Sequence, residues 1–585
     1  RRFGGRGDSG RWESRWLTKR LDCQLHDALA FAANALPAWC TQLPRAFPFL
    51  FSLQSRLGLL HCTAFGSSHA LYRFQEVKIA SYRSKQAEHW RAAQQRLARA
   101  REQQDIDGIS RASDDIDDIE RRIYSKRIGA IASDLARVSR DKILDNARQL
   151  MHYHAGCKHL LEVQFHREDG FGSGVTQHFY EAVSVALQRR EVSQRWRLWI
   201  PDAHGHDYQA DPEGPFKYLV NAEGLFPLPL PASVDAVAAE EVEAQFRFMG
   251  RLFGKACRDK FTVPLPLHPH FFTVLSGLDD DAETATERGL ALLRSFGRCR
   301  EEIPATEDWS PMDLLRAYAT VWDEAQAACA GVGPEGRLAV LGQVREREFM
   351  GSLLNRSYQC SLGEFLSASD AKFVDHLSGA PLCEGGAARA LTVEELGEYM
   401  ALTASLWFDT GIRRQMMAFR AGIDDVFPSS GLEILKPAEM DLLLCGERRI
   451  EWDKESLEQH IKLVCNEQGA RYAKTDVPFQ LLLEELVEMP NMERAKFLDF
   501  VTACPRLPPG GLAALSIEVA PESRSKYPRT RTCSKLMWLP GYATKGELRE
   551  CLRAALANAK EGGFHEHNEL VVVRPQASGA AEGGR

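Results

Sequence analysis

Residues 529–542 read Arg529-Thr530-Arg531-Thr532-Cys533-Ser534-Lys535-Leu536-Met537-Trp538-Leu539-Pro540-Gly541-Tyr542. The first half is polar and basic. The second half, Leu536–Leu539, is a short apolar run with the character of a strand, and Pro540-Gly541 ends it, because proline has no amide to give a ladder and glycine suits the turn. Cys533 stands at the junction. A buried structural cysteine ordinarily has apolar neighbours on its own face, whereas this one has Arg529, Arg531 and Lys535 close by in sequence. A nearby cation favours the thiolate, the nucleophilic form. A reactive thiol and an ordinary one are both open at this point, since neighbours in sequence need not be neighbours in space.

Working outward, Val477–Val487 and Glu493–Val501 have helical periodicity, and Pro505–Gly511 is a turn cluster. Leu515–Val519 reads as a second strand and Lys545–Lys560 as a last helix. Helices mixed with short strands make about the last 120 residues look like a separate α/β unit. At its front edge Leu442-Leu443-Leu444-Cys445-Gly446 is an apolar helix closed on a glycine, a helix C-terminus signal. The tail, 569–585, starts with a short apolar run and ends Gly/Ala-rich, with disorder expected.

The longer part upstream is mostly helical in pattern. Residues 1–20 are Gly- and Arg-rich and expected to be disordered. Residues 22–83 look packed, 84–105 read as a solvated helix, and 105–122, acidic and dotted with Ser and Gly, as a linker. A helix is expected over Val138–Met151, with Ile143, Leu144, Ala147 and Leu150 on one face. Leu160–Phe165 alternates like a strand, and the glycine loop Glu168-Asp169-Gly170-Phe171-Gly172-Ser173-Gly174 leads into a helix from Thr176 to Arg189. Phe246, Met249, Leu252, Phe253 and Ala256 recur at helical spacing, 276–350 is acidic and then Ala/Gly-rich with helical islands, and 392–421 is strongly helical.

Composition excludes several function classes. The chain has 585 residues, 44% hydrophobic and 26% charged, with a net charge of −7 and pI ≈ 6.2. It is neither collagen-like nor wholly disordered, and it has no general affinity for nucleic acid. The best candidate for a membrane span, Ala28–Phe51, is broken by Asn34, Pro37, Gln42, Pro44, Arg45 and Pro48, so no membrane attachment is expected. Fourteen cysteines with no C-x-x-C pair read as reduced thiols of a cytoplasmic or nuclear protein. The glycine loop lacks Gly-Lys-Ser/Thr and has Val175 where a dinucleotide motif needs its third glycine. It therefore reads as a tight turn that lets the next helix pack closely. His152, His154, Cys157 and His159 lie on one short polar stretch from which ligands would diverge, so no metal and no cofactor is expected.

The stretch Arg529–Tyr542 resembles the catalytic cysteine segment of HECT-type ubiquitin ligases, which carry Thr-Cys, an alternating strand and then Leu-Pro-x-Tyr. Other blocks are similar too: Phe497–Thr502 with Arg506–Gly511; Gly411–Gln415, Ala418–Gly422 and Val426-Phe427; Glu439 with Leu443–Gly446; and Phe246–Ala256 with Leu265-Pro266-Leu267. Ala35–Cys40, Phe47–Phe51, Thr63–Gly66, Arg137–Arg140 and Gly224–Pro227 resemble the ubiquitin-fusion-degradation subfamily, with the thyroid-receptor-interacting and plant trichome-branching ligases. The chain departs from the family at His178, where a glutamate is usual, at Arg531, where many members have histidine, and at Ser534, where many have an aromatic residue or asparagine.

The resemblance implies an α+β fold, mainly α: a helical extension (22–149), a large, mostly helical N-lobe that binds the E2 (150–446, with an expansion at 276–350), and a small α/β C-lobe (447–567). It implies a catalytic Cys533 that takes ubiquitin from an E2 as a thioester and passes it to lysines of protein substrates, marking them for proteasomal degradation. Thr532, Arg531, Pro540, Tyr542 and Phe564 are then supporting residues, and Cys445, Gly446 and Glu447 form a hinge. The start on Arg1 rather than methionine leads to the expectation of a longer protein with a helical-repeat substrate-binding region upstream. Two other classes compete: a catalytically weak HECT-like scaffold that binds E2 or ubiquitin, and a cysteine hydrolase, which would need a paired histidine.

Overall fold

The computed structural model describes residues 14–27, 30, 35–103, 105–124, 131–200, 208–210, 216–219, 224–295, 311–353, 356–466 and 468–558. The chain forms two compact units. One comprises Arg1–Leu71, Ala147–Cys157 and Ala182–Cys445, and the other Tyr72–Asn146, Lys158–Glu181 and Gly446–Arg585. Among the described residues no helix is long and apolar enough to cross a membrane.

The first unit is built on two helices, Ala236–Arg258 and Arg413–Asp424. Phe246, Met249, Leu252, Phe253 and Ala256 are all buried, as their spacing predicts. The helices meet backbone to backbone at Gly250 and Gly422. A Cβ on either glycine would strike the facing helix: one on Gly250 would lie 2.9 Å from the Gly422 Cα, and one on Gly422 would lie 2.9 Å from the Gly250 Cα. That close approach is worth the entropy glycine costs inside a helix, roughly 0.5–1 kcal/mol relative to alanine. Asp425 fastens the pair at its edge, bonding Arg247 at 2.8 Å and Arg251 at 2.6 Å, and the Phe419 ring meets Phe253 and Phe271 edge-on. The segment 276–350 contributes the helices Ala282–Ser295, Pro311–Cys329 and Pro334–Arg345.

The second unit contains a four-stranded sheet in the order Lys462–Leu463, Glu518–Glu522, Leu536–Pro540, Arg529–Arg531. The first two pairings are parallel and the last is antiparallel. Val519, Met537 and Leu539 belong to a core filled by Phe479, Leu482, Leu486, Phe497, Leu498, Val501, Leu548 and Leu552, from the helices Val477–Glu488, Asn491–Thr502 and Lys545–Asn558.

Four expectations change. Residues 15–20, expected to be disordered, open the helix Arg15–Leu25, which Ser14 caps and which buries Leu21 and Leu25. The acidic stretch 105–122 is a helix, Ile106–Tyr124, rather than a linker. Asp105 caps it by accepting from the Gly108 amide at 3.0 Å, and Ile109, Ala112, Ile116 and Ile119 form a stripe at helical spacing that the acidic composition obscures. The helix expected from Val138 starts at Ile143. Val138 instead ends a strand, Ser133–Val138, paired in parallel with Leu160–Phe165. The strand expected over Leu515–Val519 runs from Glu518 to Glu522, because Leu512–Leu515 forms a helical turn closed by Ser516 at φ 51°. Residues 1–13, Phe564 and the tail lie outside the described residues.

Candidate active site

Cys533 lies in a four-residue loop, Thr532–Lys535, between the antiparallel strands Arg529–Arg531 and Leu536–Pro540. The loop closes on itself. The Ser534 and Lys535 amides donate to the carbonyls of Arg531 and Thr532, both at 3.2 Å, and Lys535 takes a left-handed backbone, φ 54°. The flanking strands are anchored. The Thr530 hydroxyl donates to the Phe500 carbonyl at 2.7 Å, and Met537 on the facing strand is wholly buried. Pro540 ends the strand, and Tyr542 is buried beyond it, donating from its hydroxyl to the Lys526 carbonyl at 2.8 Å. Burial pushes the Tyr542 phenol well above its usual range.

Exposure separates the thiols. Burial pushes Cys257 and Cys504 up to about 12, where a thiol is inert at neutral pH. Among the described cysteines Cys23, Cys465 and Cys533 are exposed. Cys23 lies in the helix Arg15–Leu25 and Cys465 just past the strand Lys462–Leu463. Cys533 alone lies in a loop held between two paired strands.

Two of the cations near Cys533 in sequence have other partners. Arg529 donates to the Glu522 carboxylate at 2.7 Å and 2.6 Å, and both Arg529 and Arg531 lie over the Trp538 ring, at 5.6 Å and 5.5 Å. Burial raises the Glu522 carboxyl, but the Arg524 amide and Arg529 outweigh it and leave the group below its ordinary value. Burial also lowers Lys535, against an attraction from Cys504. Arg531, expected as a supporting residue, thus makes a cation–π contact with Trp538.

A contact absent from the sequence reading lies on the other side of the loop. The Ser173 hydroxyl donates to the Cys533 carbonyl at 3.4 Å. A Cβ on Gly174 would fall 2.9 Å from both the Cys533 nitrogen and the Thr532 Cβ, and closer still to the Thr532 hydroxyl. The glycine loop was legible as a close-packing turn, but nothing in the sequence said what it packs against. Of the hydrogen bonds that the described residues make to the Cys533 loop, none comes from a histidine.

Cys445, Gly446 and Glu447, the expected hinge, sit at the last passage of the chain from the first unit to the second. Cys445 is wholly buried at the end of the helix Pro437–Cys445. Gly446 has φ 76°, a conformation that favours glycine. The Glu447 amide donates to the Leu507 carbonyl at 2.8 Å, and burial, with repulsion from Glu451, raises the Glu447 carboxyl.

Comparison with known proteins covers the same ground. The family model described as HECT-domain (ubiquitin-transferase) matches residues 216–566, which include the Cys533 hairpin. The chain is 29% identical over 573 residues to the E3 ubiquitin-protein ligase hecd-1 of Caenorhabditis elegans, covering 94% of this chain and 20% of that protein. It is 29% identical over 577 residues to the E3 ubiquitin-protein ligase UPL3 of Arabidopsis thaliana, covering 94% and 26%, and 27% identical over 600 residues to the E3 ubiquitin-protein ligase Ufd4 of Drosophila melanogaster, covering 94% and 20%. The chain spans about a fifth to a quarter of the length of these relatives. Since the family model accounts for more than half of the residues, including the exposed thiol and the sheet that carries it, the chain belongs to the HECT-domain (ubiquitin-transferase) family.

Proposed function

We propose that the chain is the ubiquitin-transferring part of an E3 ubiquitin-protein ligase, with Cys533 as the residue that carries ubiquitin. The observation that supports this most is the exposed thiol on a braced hairpin inside the region matched to the family. In the first step the Cys533 sulfur attacks the E2 thioester carbonyl, and the E2 sulfur leaves with the electron pair. One thioester replaces another, so the step is close to isoenergetic and needs a thiolate and good positioning. In the second step an uncharged substrate lysine attacks the Cys533 thioester. A C–N bond forms, the C–S bond breaks, and the amine proton passes to solvent.

Residues 150–446 are the E2-binding lobe in this reading, and 447–567 the catalytic lobe. Cys445, Gly446 and Glu447 are the pivot that lets Cys533 meet the E2 and then the substrate. Thr532 lies beside the thioester, Pro540 and Tyr542 shape the loop, and Phe564 docks the tail. The partners are an E2, ubiquitin and protein substrates, with neither nucleic acid nor membrane involved, and the setting is the cytoplasm or nucleus. One relative, from Schizosaccharomyces pombe, is named a probable ubiquitin fusion degradation protein, which favours proteasomal degradation as the outcome.

The test is incubation with E1, a panel of E2s, ATP and ubiquitin, followed by a non-reducing gel. A thiol-sensitive ubiquitin adduct that Cys533→Ala abolishes is expected. An adduct that survives the substitution would overturn the site, and no adduct with any E2 would favour a scaffold.

A further inference from the structure

We propose that the Gly170–Gly174 loop is a clamp on the Cys533 turn, with Ser173 and Gly174 as positioning residues for transfer of ubiquitin from Cys533 to an amine; this rests on Cys533 being the ubiquitin carrier. The two residues bracket the reacting position. Ser173 holds the Cys533 carbonyl, and Gly174 lies against the Cys533 nitrogen and Thr532. The peptide groups on both sides of the Cys533 Cα are therefore restrained while the side chain remains exposed.

The clamp is itself held. Gly172 has φ 103°, and its carbonyl accepts from the Thr176 amide at 3.0 Å and the Thr176 hydroxyl at 2.9 Å. The same hydroxyl accepts from the Val163 amide at 3.0 Å, tying the loop to the strand before it. At the other end Arg140 donates to both Glu168 oxygens, at 2.6 Å and 3.1 Å, and to His178 Nε2 at 2.8 Å. An imidazole that accepts at Nε2 carries its proton on Nδ1, which lies 3.1 Å from Glu181. His178, a departure from the family pattern, thus becomes a relay between Arg140 and Glu181. A loop fixed at so many points has a defined position to impose on whatever it touches.

The two steps of the reaction make different demands on that position. In loading, the thioester is brought to an exposed sulfur. In discharge, Cys533 holds a whole protein through one side chain while an amine nitrogen must reach the carbonyl carbon in line with the departing sulfur, and misplacement by about 1 Å can cost on the order of 100-fold. Discharge is the step the clamp serves.

Single-turnover kinetics separate the steps: load the full chain from an E2–ubiquitin thioester, quench loading, then chase with free lysine. Ser173→Ala is expected to slow discharge by about 2- to 10-fold, the worth of one hydrogen bond, and Ser173→Thr, which keeps the hydroxyl, to restore it. Gly174→Ala is expected to slow discharge on the order of 100-fold. Loading in all three should slow less than discharge, and a chain that still loads also reports correct folding. Unchanged discharge in Ser173→Ala and Gly174→Ala, or an equal slowing of both steps, overturns the clamp. So does a Ser173→Thr variant as slow as Ser173→Ala. If the unaltered chain forms no thioester, the ligase reading fails and the clamp fails with it; if it loads normally and only the variants behave like their parent, the clamp alone fails.

Discussion

Arg56 grips Glu439 through two parallel bonds, Nη1 to Oε2 at 2.5 Å and Nη2 to Oε1 at 2.6 Å. The same guanidinium donates to the carbonyls of Ile434 at 2.9 Å and Phe51 at 3.3 Å, and the Arg56 side chain is only 4% exposed. The pair joins the helix Leu53–Thr63 to the helix Pro437–Cys445, whose end is the proposed pivot. Removing one member strands a carboxylate with little access to water. Arg56→Ala should therefore lose about 3–5 kcal/mol, while Arg56→Met with Glu439→Leu recovers most of it, because two apolar groups of similar volume leave nothing unpaired. Urea unfolding of the three chains measures this, and a loss below about 1 kcal/mol in Arg56→Ala would show that the pair does not fasten the extension.

Two carboxylates of the first unit contribute to its acid limit. Burial raises the Glu439 carboxyl, but Arg56 and the Lys436 amide more than offset it, and the group titrates below its usual value. The hydrogen bond from Arg247 leads the causes that hold Asp425 low. Both groups bind protons less readily folded than unfolded, so the stability they add is present above an unfolded value near ~4 and is lost as pH falls through the folded values. The unfolding midpoint should drop in that acid range, and Asp425→Asn and Glu439→Gln should each start lower and fall less. Calorimetry from neutral to acid pH tests this, with parallel curves for parent and variants as the outcome against it.

The periodic signals in the sequence survive in the structure wherever burial enforces them. Phe246 to Ala256 is one case, and the glycine stop after Leu444-Cys445 is another, since a left-handed residue is the ordinary way to end such a helix. The misread segments are those in which composition and pattern disagree. Ile109 to Ile119 carries a helical stripe under an acidic surface, and Val138 can be read as the first turn of a helix because its strand partner, Phe165, is 27 residues away. At the site, the neighbours of Cys533 left a reactive and an ordinary thiol both open, and the resemblance singled Cys533 out. The roles of the cations were not legible, because Arg529 faces Glu522 and Arg531 lies on Trp538 only once the hairpin is folded. The contact between Ser173 and Cys533 spans 360 positions and leaves no local trace.

Glu522 is a buried acid of the sheet that carries the Cys533 loop. Its side chain is 2% exposed and rests on Arg529 and the Arg524 amide. Arg529 is itself 40% exposed, so water screens part of the pair and the interaction is worth less than a fully enclosed one. Arg529→Met should cost about 1–3 kcal/mol by leaving the carboxylate short of a partner. Because the strand Arg529–Arg531 leads directly into the Cys533 loop, the same variant should also slow discharge. Glu522→Gln keeps an acceptor for Arg529 and should be the milder change. Denaturant unfolding and the single-turnover discharge rate test this, and an unchanged discharge rate in a destabilised Arg529→Met would show that the pair does not frame the loop.

Gly446 is the remaining position where backbone geometry makes a claim about turnover. Its φ of 76° lies between a wholly buried Cys445 and a Glu447 amide bonded to Leu507, so both flanking residues are fixed and the glycine is left to turn. A side chain there meets the left-handed penalty of about 1–2 kcal/mol, and a β-branched one meets more. Gly446→Val should therefore lower stability by at least that amount and slow multiple-turnover ubiquitination, in which Cys533 must serve the E2 and the substrate alternately. Discharge of preloaded Cys533 to free lysine, a small acceptor that diffuses to the thioester, should change far less. Comparing the two rates in one variant separates a pivot from a helix stop. Equal slowing would mean that Gly446 only shapes the resting structure, and an unchanged multiple-turnover rate would show that no large rotation at this residue limits the cycle.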